Sequence, residues 1–443
     1  MRISLSDHFT YNKLLRFTLP SIAMMIFTSI YGVVDGFFVS NFVGKTAFAA
    51  VNFIMPVLMM LGAVGFMFGT GGSALVAKTM GMGEPEKANR LFSLFVYVSA
   101  GLGAVIAVIT FIFIGSIARL LGAEGQLLSD CILYGRIIIC ATPAFIIQME
   151  FQSFFVTAEK PTLGLISTVI AGVANMILDA LFMAVFKWGL PGAAIATAAS
   201  QYIGAIMPLV YFSRKNTSRL RLGKTSYDGK ALLRACTNGS SELMSNISMS
   251  LVSMLYNVQL IKYAGEDGVA AYGVLMYVNM IFLAIFIGYS IGTAPVIGFN
   301  YGADNRGELK SLLKKSWIIL AVSSVSMFIL SEILGGPLSK LFVGYDRELY
   351  TMTERGFQLF SFSFLFAGIN IFSSSFFTAL NNGPISAAIS FLRTLVFQTA
   401  SVLALPLIWE LDGIWASIPA AELIAGAVSV SLIFAKRKKY GYM

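Results

Sequence analysis

Apolar stretches long enough to cross a bilayer recur at residues 14–40, 49–77, 91–121, 129–156, 161–187 and 190–213, and again at 233–263, 268–299, 311–340, 350–380, 384–409 and 412–435. A spanning helix needs about 20 predominantly apolar residues, so each stretch predicts one helix. Turn chemistry punctuates them: Gly81-Met82-Gly83-Glu84-Pro85, Glu159-Lys160-Pro161, Gly189-Leu190-Pro191-Gly192, Gly302-Ala303-Asp304-Asn305 and Asn381-Asn382-Gly383-Pro384. One longer polar connection, Ser213 to Lys230, falls at the midpoint. The first run, Leu14 to Ser40, is too long for a signal peptide and reads as the first span.

The two halves match at a shift of about 220 residues. Leu14-Leu15-Arg16 answers to Leu232-Leu233-Arg234, Gly71 and Gly81 to Gly292 and Gly302, and Lys160-Pro161 to Gly383-Pro384. Gly192-Ala193-Ala194-Ile195-Ala196 answers to Gly413-Ile414-Trp415-Ala416-Ser417. Each match alone is weak, and their order and nearly constant offset carry the argument. Six helices per half bring both halves in from the same side, the parallel kind of repeat with a cavity expected between its copies. The expected fold is an all-α polytopic membrane protein of twelve transmembrane helices in two pseudo-symmetric six-helix lobes. Residues 1–222 form the N-lobe (helices 1–6) and 223–443 the C-lobe (helices 7–12).

Composition agrees with a chain that lives in lipid: 57% hydrophobic and 12% charged residues, with a mean hydropathy of +0.79. A cytosolic enzyme, a nucleic-acid binder and a disulfide scaffold are excluded. The net charge of +9 is topogenic. Of 31 basic residues, 22 fall on the side of the termini and the even-numbered connections, against 8 on the other side and Arg393 within a span. By the positive-inside rule both termini are cytoplasmic, in the cell (plasma or inner) membrane. Cys131, Cys140 and Cys236 are too scattered for a disulfide framework and read as buried small hydrophobes. The one histidine, His8, lies in the polar N-terminal tail, so His-based zinc sites and Ser-His catalysis have no residue to work with. No enzyme activity and no cofactor are expected.

The informative charges are the embedded ones. A carboxylate at the bilayer centre costs about 2.5–3.5 kcal/mol on insertion scales, so intramembrane acids are functional candidates by default. Asp35 sits two-thirds along the first span; Asn175 and Asp179, four apart, share one face of the fifth, and Thr197 and Gln201 repeat that spacing on the sixth. The first and fifth spans run the same way, which puts Asp35 and Asp179 at similar depth in the outer half. Two carboxylates with an amide and a hydroxyl could share a proton or ligate Na⁺ through oxygen. Polar helix–helix adhesion explains Thr197 and Gln201 well, but two apolar-flanked aspartates poorly. Glu150 (fourth span) and Arg393 (eleventh) both lie in the inner half, open to pairing across the lobes or to separate roles. Glu242 and Glu422 could attract a cationic substrate or simply snorkel to a nearby helix end. Pro20 reads either as a proline in the first turn of its helix or as a bend that moves Asp35. The 21 Met and 37 Phe suit a cavity of adaptable shape, or face lipid.

These residues resemble the multidrug and toxic compound extrusion (MATE) transporters, in the superfamily that also holds lipid-linked oligosaccharide flippases. The resemblance covers essentially the whole chain: Pro20 and Asp35, Gly69-Thr70-Gly71-Gly72-Ser73, Gly81-Met82-Gly83-Glu84-Pro85-Glu86-Lys87-Ala88, Asn175 with Asp179, and Gly192-Ala193-Ala194-Ile195-Ala196-Thr197. It implies export of amphipathic, often cationic drugs by H⁺ or Na⁺ antiport. It also implies an ion-coupling site, for a proton or Na⁺, at Asp35, Asn175, Asp179 and Thr197, with a first helix that bends at Pro20. Gln201, Glu150, Glu242 and Arg393 stand beside these as cavity or gating candidates. Another branch of the family carries its acids on the seventh and tenth helices. Here the seventh holds Glu242 but the tenth has only Glu354 near its outer end, which argues against a C-lobe ion site. The expected partners are small amphipathic organic molecules and the bilayer, with no nucleic acid, and the chain is expected to be a monomer. The alternative is a lipid-linked precursor flippase, whose pyrophosphate would call for several buried cations where this chain offers Arg393 alone. An intramembrane aspartyl protease is disfavoured by the Asn-xxx-Asp spacing and the duplication, and a channel by the lack of a filter-like loop.

Overall fold

The computed structural model describes residues 3–443, apart from the side chains of Ser40, Lys45 and Thr46. Of the basic residues counted above, Arg2 and the Lys45 side chain therefore lie outside the described residues. Helix α1 (Tyr11–Phe42) is followed by α2 (Lys45–Gly81) and α3 (Pro85–Leu120). Helices α4 (Gly125–Cys140) and α5 (Thr142–Thr157) form one span bent by 58°. Helix α6 (Pro161–Asp179) runs on through a wider π turn, Ala180–Val185, and α7 (Gly189–Ser213) closes the first half.

Helix α8 is continuous over Gly229–Gly302, 74 residues. At 1.5 Å per residue a straight rod of that length would be about 110 Å long, several times the hydrocarbon thickness. Gly265 resolves the conflict: its φ of 65° and ψ of −152° break the helix, a conformation that glycine adopts without a Cβ penalty, and two spans result. Then come α9 (Arg306–Val343), α10 (Arg347–Phe360) with α11 (Phe364–Ala379), α12 (Gly383–Phe391) with a second π turn (Leu392–Phe397) and α13 (Gln398–Ala404), and finally α14 (Pro406–Tyr440). With the bent or jointed helices taken as single spans and α8 as two, the described residues form six spans on each side of the 214–228 connection, and no strand. The expected two lobes of six helices are the fold observed.

Pro20 lies ten residues inside α1, which begins at Tyr11 behind a Thr10 cap whose hydroxyl accepts from the Lys13 amide at 3.3 Å. The first-turn alternative is thereby corrected, since the Thr10 cap starts the helix at Tyr11, ahead of the apolar run that begins at Leu14 and more than two turns before Pro20. The cysteine expectation also needs correction: Cys131 is buried, but Cys140 is exposed and Cys236 half-buried, all three free.

The lobes meet along a seam of glycines whose geometry repeats the internal symmetry. A Cβ on Gly81 would lie 2.0 Å from the Phe299 carbonyl oxygen, and one on Gly302 would lie 2.0 Å from that of Lys78. Position 81 corresponds to 302 and 78 to 299, so the two contacts are one contact made twice about a pseudo-two-fold axis. Gly71 closes on the Gly239 backbone nitrogen and Gly292 on Thr18 in the same reciprocal manner. Such close backbone approach is what small residues provide at helix crossings in lipid, where apolar burial supplies no drive.

The N-terminal tail straps the two lobes together on the face that carries the termini. Glu159, at the end of α5, accepts from the Leu5 amide (2.9 Å) and from the Ser4 hydroxyl (2.7 Å), and pairs with Arg219 (3.0 Å). Glu308, at the start of α9, accepts from the Phe9 amide (2.9 Å) and meets His8 Nδ1 (2.7 Å). Leu5 and Phe9 are fully buried. Buried residues form one core that runs through both lobes, from Leu14, Phe17 and Met25 to Tyr440. A second, separate core, including Val39, Ile54, Ile114, Tyr134, Met183 and Ala194, belongs to the N-lobe alone, at the face opposite the termini.

Candidate functional site

The acid cluster is assembled by three helices of the N-lobe. Asp35 stands on the last third of α1, Asn175 and Asp179 on the last two turns of α6, and Thr197 on α7. Asp179 is the last residue before the π turn at Ala180–Val185, a local widening that recurs at functional sites in helices. Asp179 is 0% exposed, Asn175 1% and Asp35 9%. Asp179 and Thr197 adjoin the Asp35 carboxyl, and the Tyr134 hydroxyl, from α4, faces all three. Yet Asp35 Oδ1, both Asp179 oxygens, Thr197 Oγ1 and Asn175 Nδ2 have no hydrogen-bond partner in the protein. Buried polar atoms are ordinarily satisfied, because an unmade bond costs about 1–3 kcal/mol and more for a charge. Two adjacent carboxyl groups, an amide and a hydroxyl form a hard oxygen donor set, suited to a proton or an alkali cation rather than to a soft metal. Gln201, one turn beyond Thr197, is half-buried with its Oε1 unpartnered.

The cavity lies elsewhere, between the lobes. It has a volume of about 380 Å³ and takes Met25 from α1, Phe66 and Thr70 from α2 and Ser153 from α5, against a polar C-lobe wall that includes Glu242, Arg393 and Glu422. Asp35 is not among its lining residues. Met25 and Asp35 share α1 ten residues apart, about 15 Å along the axis, so one continuous helix links cavity and acid cluster.

Two alternatives left open for the embedded charges are decided by the geometry. Arg393 does not pair with Glu150: its Nε lies 2.8 and 2.9 Å from the two carboxylate oxygens of Glu422, in the same lobe. Glu150 is fully buried within the N-lobe and accepts instead from the Ser99 hydroxyl of α3. Nor does Glu422 snorkel; it is buried near the middle of α14 and also accepts from Asn370 Nδ2 at 2.7 Å. Glu242, thirteen residues into α8, points into the cavity and not toward a helix end. The residues that reading the chain missed are Tyr134, Ser99 and Asn370, ordinary polar residues whose spans look amphipathic at best. Only the choice of helix neighbours marks them.

A helical membrane protein made of two copies of a six-helix unit around a polar cavity, with buried acids lacking partners, has the build of a secondary transporter. The MatE family model matches residues 20–181 and 243–401, the two stretches beginning 223 positions apart, and the chain belongs to this family of transporters, which are not enzymes. It is 24% identical over 430 residues to the multidrug export protein MepA of Staphylococcus haemolyticus (strain JCSC1435), covering 97% of this chain and 94% of that one. Among solved structures it is similar to a MATE protein in complex with MaL6, with a TM-score of 0.91 at 22% identity over 97% of this chain and 98% of the other. It is equally similar to the outward-facing conformation of a multidrug resistance MATE family transporter of the MOP superfamily (TM-score 0.91, 21% identity, 97% and 98% covered). At these identities the structural likeness establishes the fold.

Proposed function

We propose that the chain is a cation-coupled antiporter that exports amphipathic, often cationic organic compounds, with H⁺ or Na⁺ as the coupling ion and no other cofactor. The lobes, 1–222 and 223–443, alternate access to the central cavity, in a monomer whose termini face the cytoplasm of a bacterial cell. The observation that carries this reading is the burial of Asp35 beside Asp179, with three of their four oxygens reached by no protein donor. Two such carboxylates cannot both stay charged and dry, so the site favours uptake of a proton or Na⁺. The kinship with a multidrug export protein supports the substrate class.

Ion and substrate are coupled because each stabilises a different arrangement of one bistable structure. With the cavity open opposite the termini, the ion neutralises Asp35 and Asp179, and the first helix, bending at Pro20, releases the drug. With the cavity open toward the cytoplasm, loss of the ion restores negative charge and favours a cation. Asn175 and Thr197 support the ion, while Gln201, Glu150, Glu242 and Arg393 line or gate the path.

Ethidium efflux from everted vesicles under imposed proton or sodium gradients tests the proposal. Asp35→Asn and Asp179→Asn are each expected to abolish gradient-driven efflux, and unimpaired efflux in both sinks the site assignment. Lack of efflux of any cationic dye by the wild type shifts weight to the lipid-precursor flippase, against which stands a cavity whose one Arg is already paired with Glu422.

A further inference from the structure

The interior of the N-lobe holds a second, much smaller cavity, apart from the one between the lobes. Its walls include Gln148 and Gln152 of α5, Ser167 and Thr168 of α6 and Gly204 of α7. About 10 Å³ of it is open to the centre of a water molecule, the space of one water. Only glycine fits at position 204, since a Cβ there would lie 2.7 Å from Gln148 Cδ. The four polar side chains are more than nine-tenths buried. Hydroxyls inside a span ordinarily return to the carbonyl four residues back, as those of Thr28 and Thr70 do at 2.9 Å. Gln148, Ser167 and Thr168 make no hydrogen bond among the described residues, and Gln152 Oε1 is likewise unpartnered. Buried polar groups that the protein leaves unmatched are the groups that hold internal water.

The cavity stands at the foot of a polar stripe that begins at the acid cluster. On α6 Asp179, Asn175 and Thr168 are spaced by four and seven residues, and on α7 Thr197, Gln201 and Gly204 by four and three, so each set keeps to one helix face. Seven residues of α7 separate Thr197 from Gly204, about 10 Å along the axis. Along this stripe Asn175 Nδ2, Thr197 Oγ1 and Gln201 Oε1 are buried without partners, like Gln152 Oε1 at its end. Toward the termini the stripe stops at a block of rings. Phe151 and Phe155 line the cavity, and Phe212, one residue from the end of α7, lies 5.4 and 5.6 Å from them. Phe92 closes the block at 5.3 Å from Phe212, and all four rings are buried. The Phe212 carbonyl accepts from the Leu222 amide in the 214–228 connection at 2.8 Å, which places the block at the face of the termini. Apolar constrictions of this kind close a water path by keeping it dry.

We propose that the N-lobe encloses a proton route of its own, running from Asp35 and Asp179 through the water site at Gln148, Gln152, Ser167 and Thr168 to the face of the termini, with the phenylalanine block as its gate. The proton passes along hydrogen-bonded water, each molecule taking one proton and handing on another, so that every group ends as it began. A site with room for one water passes a proton and not a hydrated metal ion. The route rests on the acid cluster as the coupling site and adds the way by which the ion leaves it, apart from the path of the substrate.

The test is the decay of a pH gradient across proteoliposomes that contain the full-length protein and no drug, followed with trapped pyranine. A parallel set carries a Na⁺ gradient and a sodium-sensitive dye. The wild type is expected to hold the pH gradient, because the block shuts one end of the route. Phe212→Ala is expected to speed its decay at least about tenfold, a fall of about 1.4 kcal/mol in the barrier, and to leave the Na⁺ gradient standing. Adding Gln152→Leu or the near-isosteric Thr168→Val to Phe212→Ala is expected to restore the wild-type decay, as is adding Asp179→Asn. Should Phe212→Ala fail to fold, Phe212→Leu replaces it, with a smaller leak and the same dependence. No leak from the folded variant, or a leak untouched by Gln152→Leu and Thr168→Val, overturns the route and leaves the acid cluster as the coupling site. A leak that carries Na⁺ as well overturns the proton assignment. A leak that Gln152→Leu removes and that Asp35→Asn and Asp179→Asn leave untouched overturns the acid cluster as its source.

Discussion

Glu308 does with one carboxylate what a connecting loop does elsewhere. It holds the Phe9 amide and His8 against the C-lobe, and it is 7% exposed. Glu308→Ala leaves the buried Phe9 N–H without an acceptor, a loss of about 1–3 kcal/mol. The expected readout is a lower thermal midpoint by intrinsic fluorescence, together with faster proteolysis within residues 3–10. Asp7, beside them, accepts from the Lys13 ammonium at 2.7 Å, and that bond holds its carboxyl below the ordinary value of 3.8. A depressed folded-state pKa contributes stability above the unfolded value, lost as the pH falls through the folded one. Protease sensitivity of the tail should therefore stay flat from neutrality down to about pH 4 and rise only below it. A rise already near pH 6 would overturn the assignment to Asp7.

At the scale of elements the prediction concerns the glycine seam. Gly81→Ala and Gly302→Ala each place a Cβ 2.0 Å from a backbone carbonyl, which no side-chain adjustment relieves. Each should part α2 from the end of α8 and raise the spin-label distance between Lys215→Cys and Lys310→Cys. The double mutant should add little, since one seam is already open. Gly223→Ala, with nothing within 4 Å, should leave the distance unchanged.

The seam was legible in the chain because an internal repeat aligns Gly71 with Gly292 and Gly81 with Gly302, and a duplicated contact needs small residues in both copies. The acid cluster was legible as candidates for the same reason that it is unusual, since aspartates flanked by apolar residues stand out. Partners were not. Arg393 and Glu422 lie on successive spans, and a π turn sets the rotation that brings them together, which no apolar pattern encodes. Tyr134 was hidden among seventeen tyrosines. Pro20 misled because its apolar neighbours extend the span while a Thr10 cap, outside the apolar run, sets the helix start.

For the whole molecule, the seam contacts run along α1 from Thr18 to Ser29 and along α2 from Met67 to Gly81, and the tail closes the same face. Toward the other face the N-lobe packs on its own separate core. The cavity should therefore admit reagents from the face opposite the termini. In a background with Cys131, Cys140 and Cys236 replaced, Ser253→Cys on the cavity wall should react with a membrane-impermeant maleimide applied to that face and stay protected from the face of the termini. Labelling from the termini face alone would reverse the orientation.

The two cores have a consequence for how the molecule breathes. Helix α1 is anchored in the shared core as far as Met25 and enters the N-lobe's private core at Val39. Asp35 lies between these anchorages, and Tyr134, which faces it, belongs to the private one. Units with separate cores can open separately, so amide exchange should divide α1 into two phases that meet near Asp35. A proton or Na⁺ arriving there lands on the joint between two independently melting layers, and its binding should register first as slower exchange in the layer that contains Tyr134.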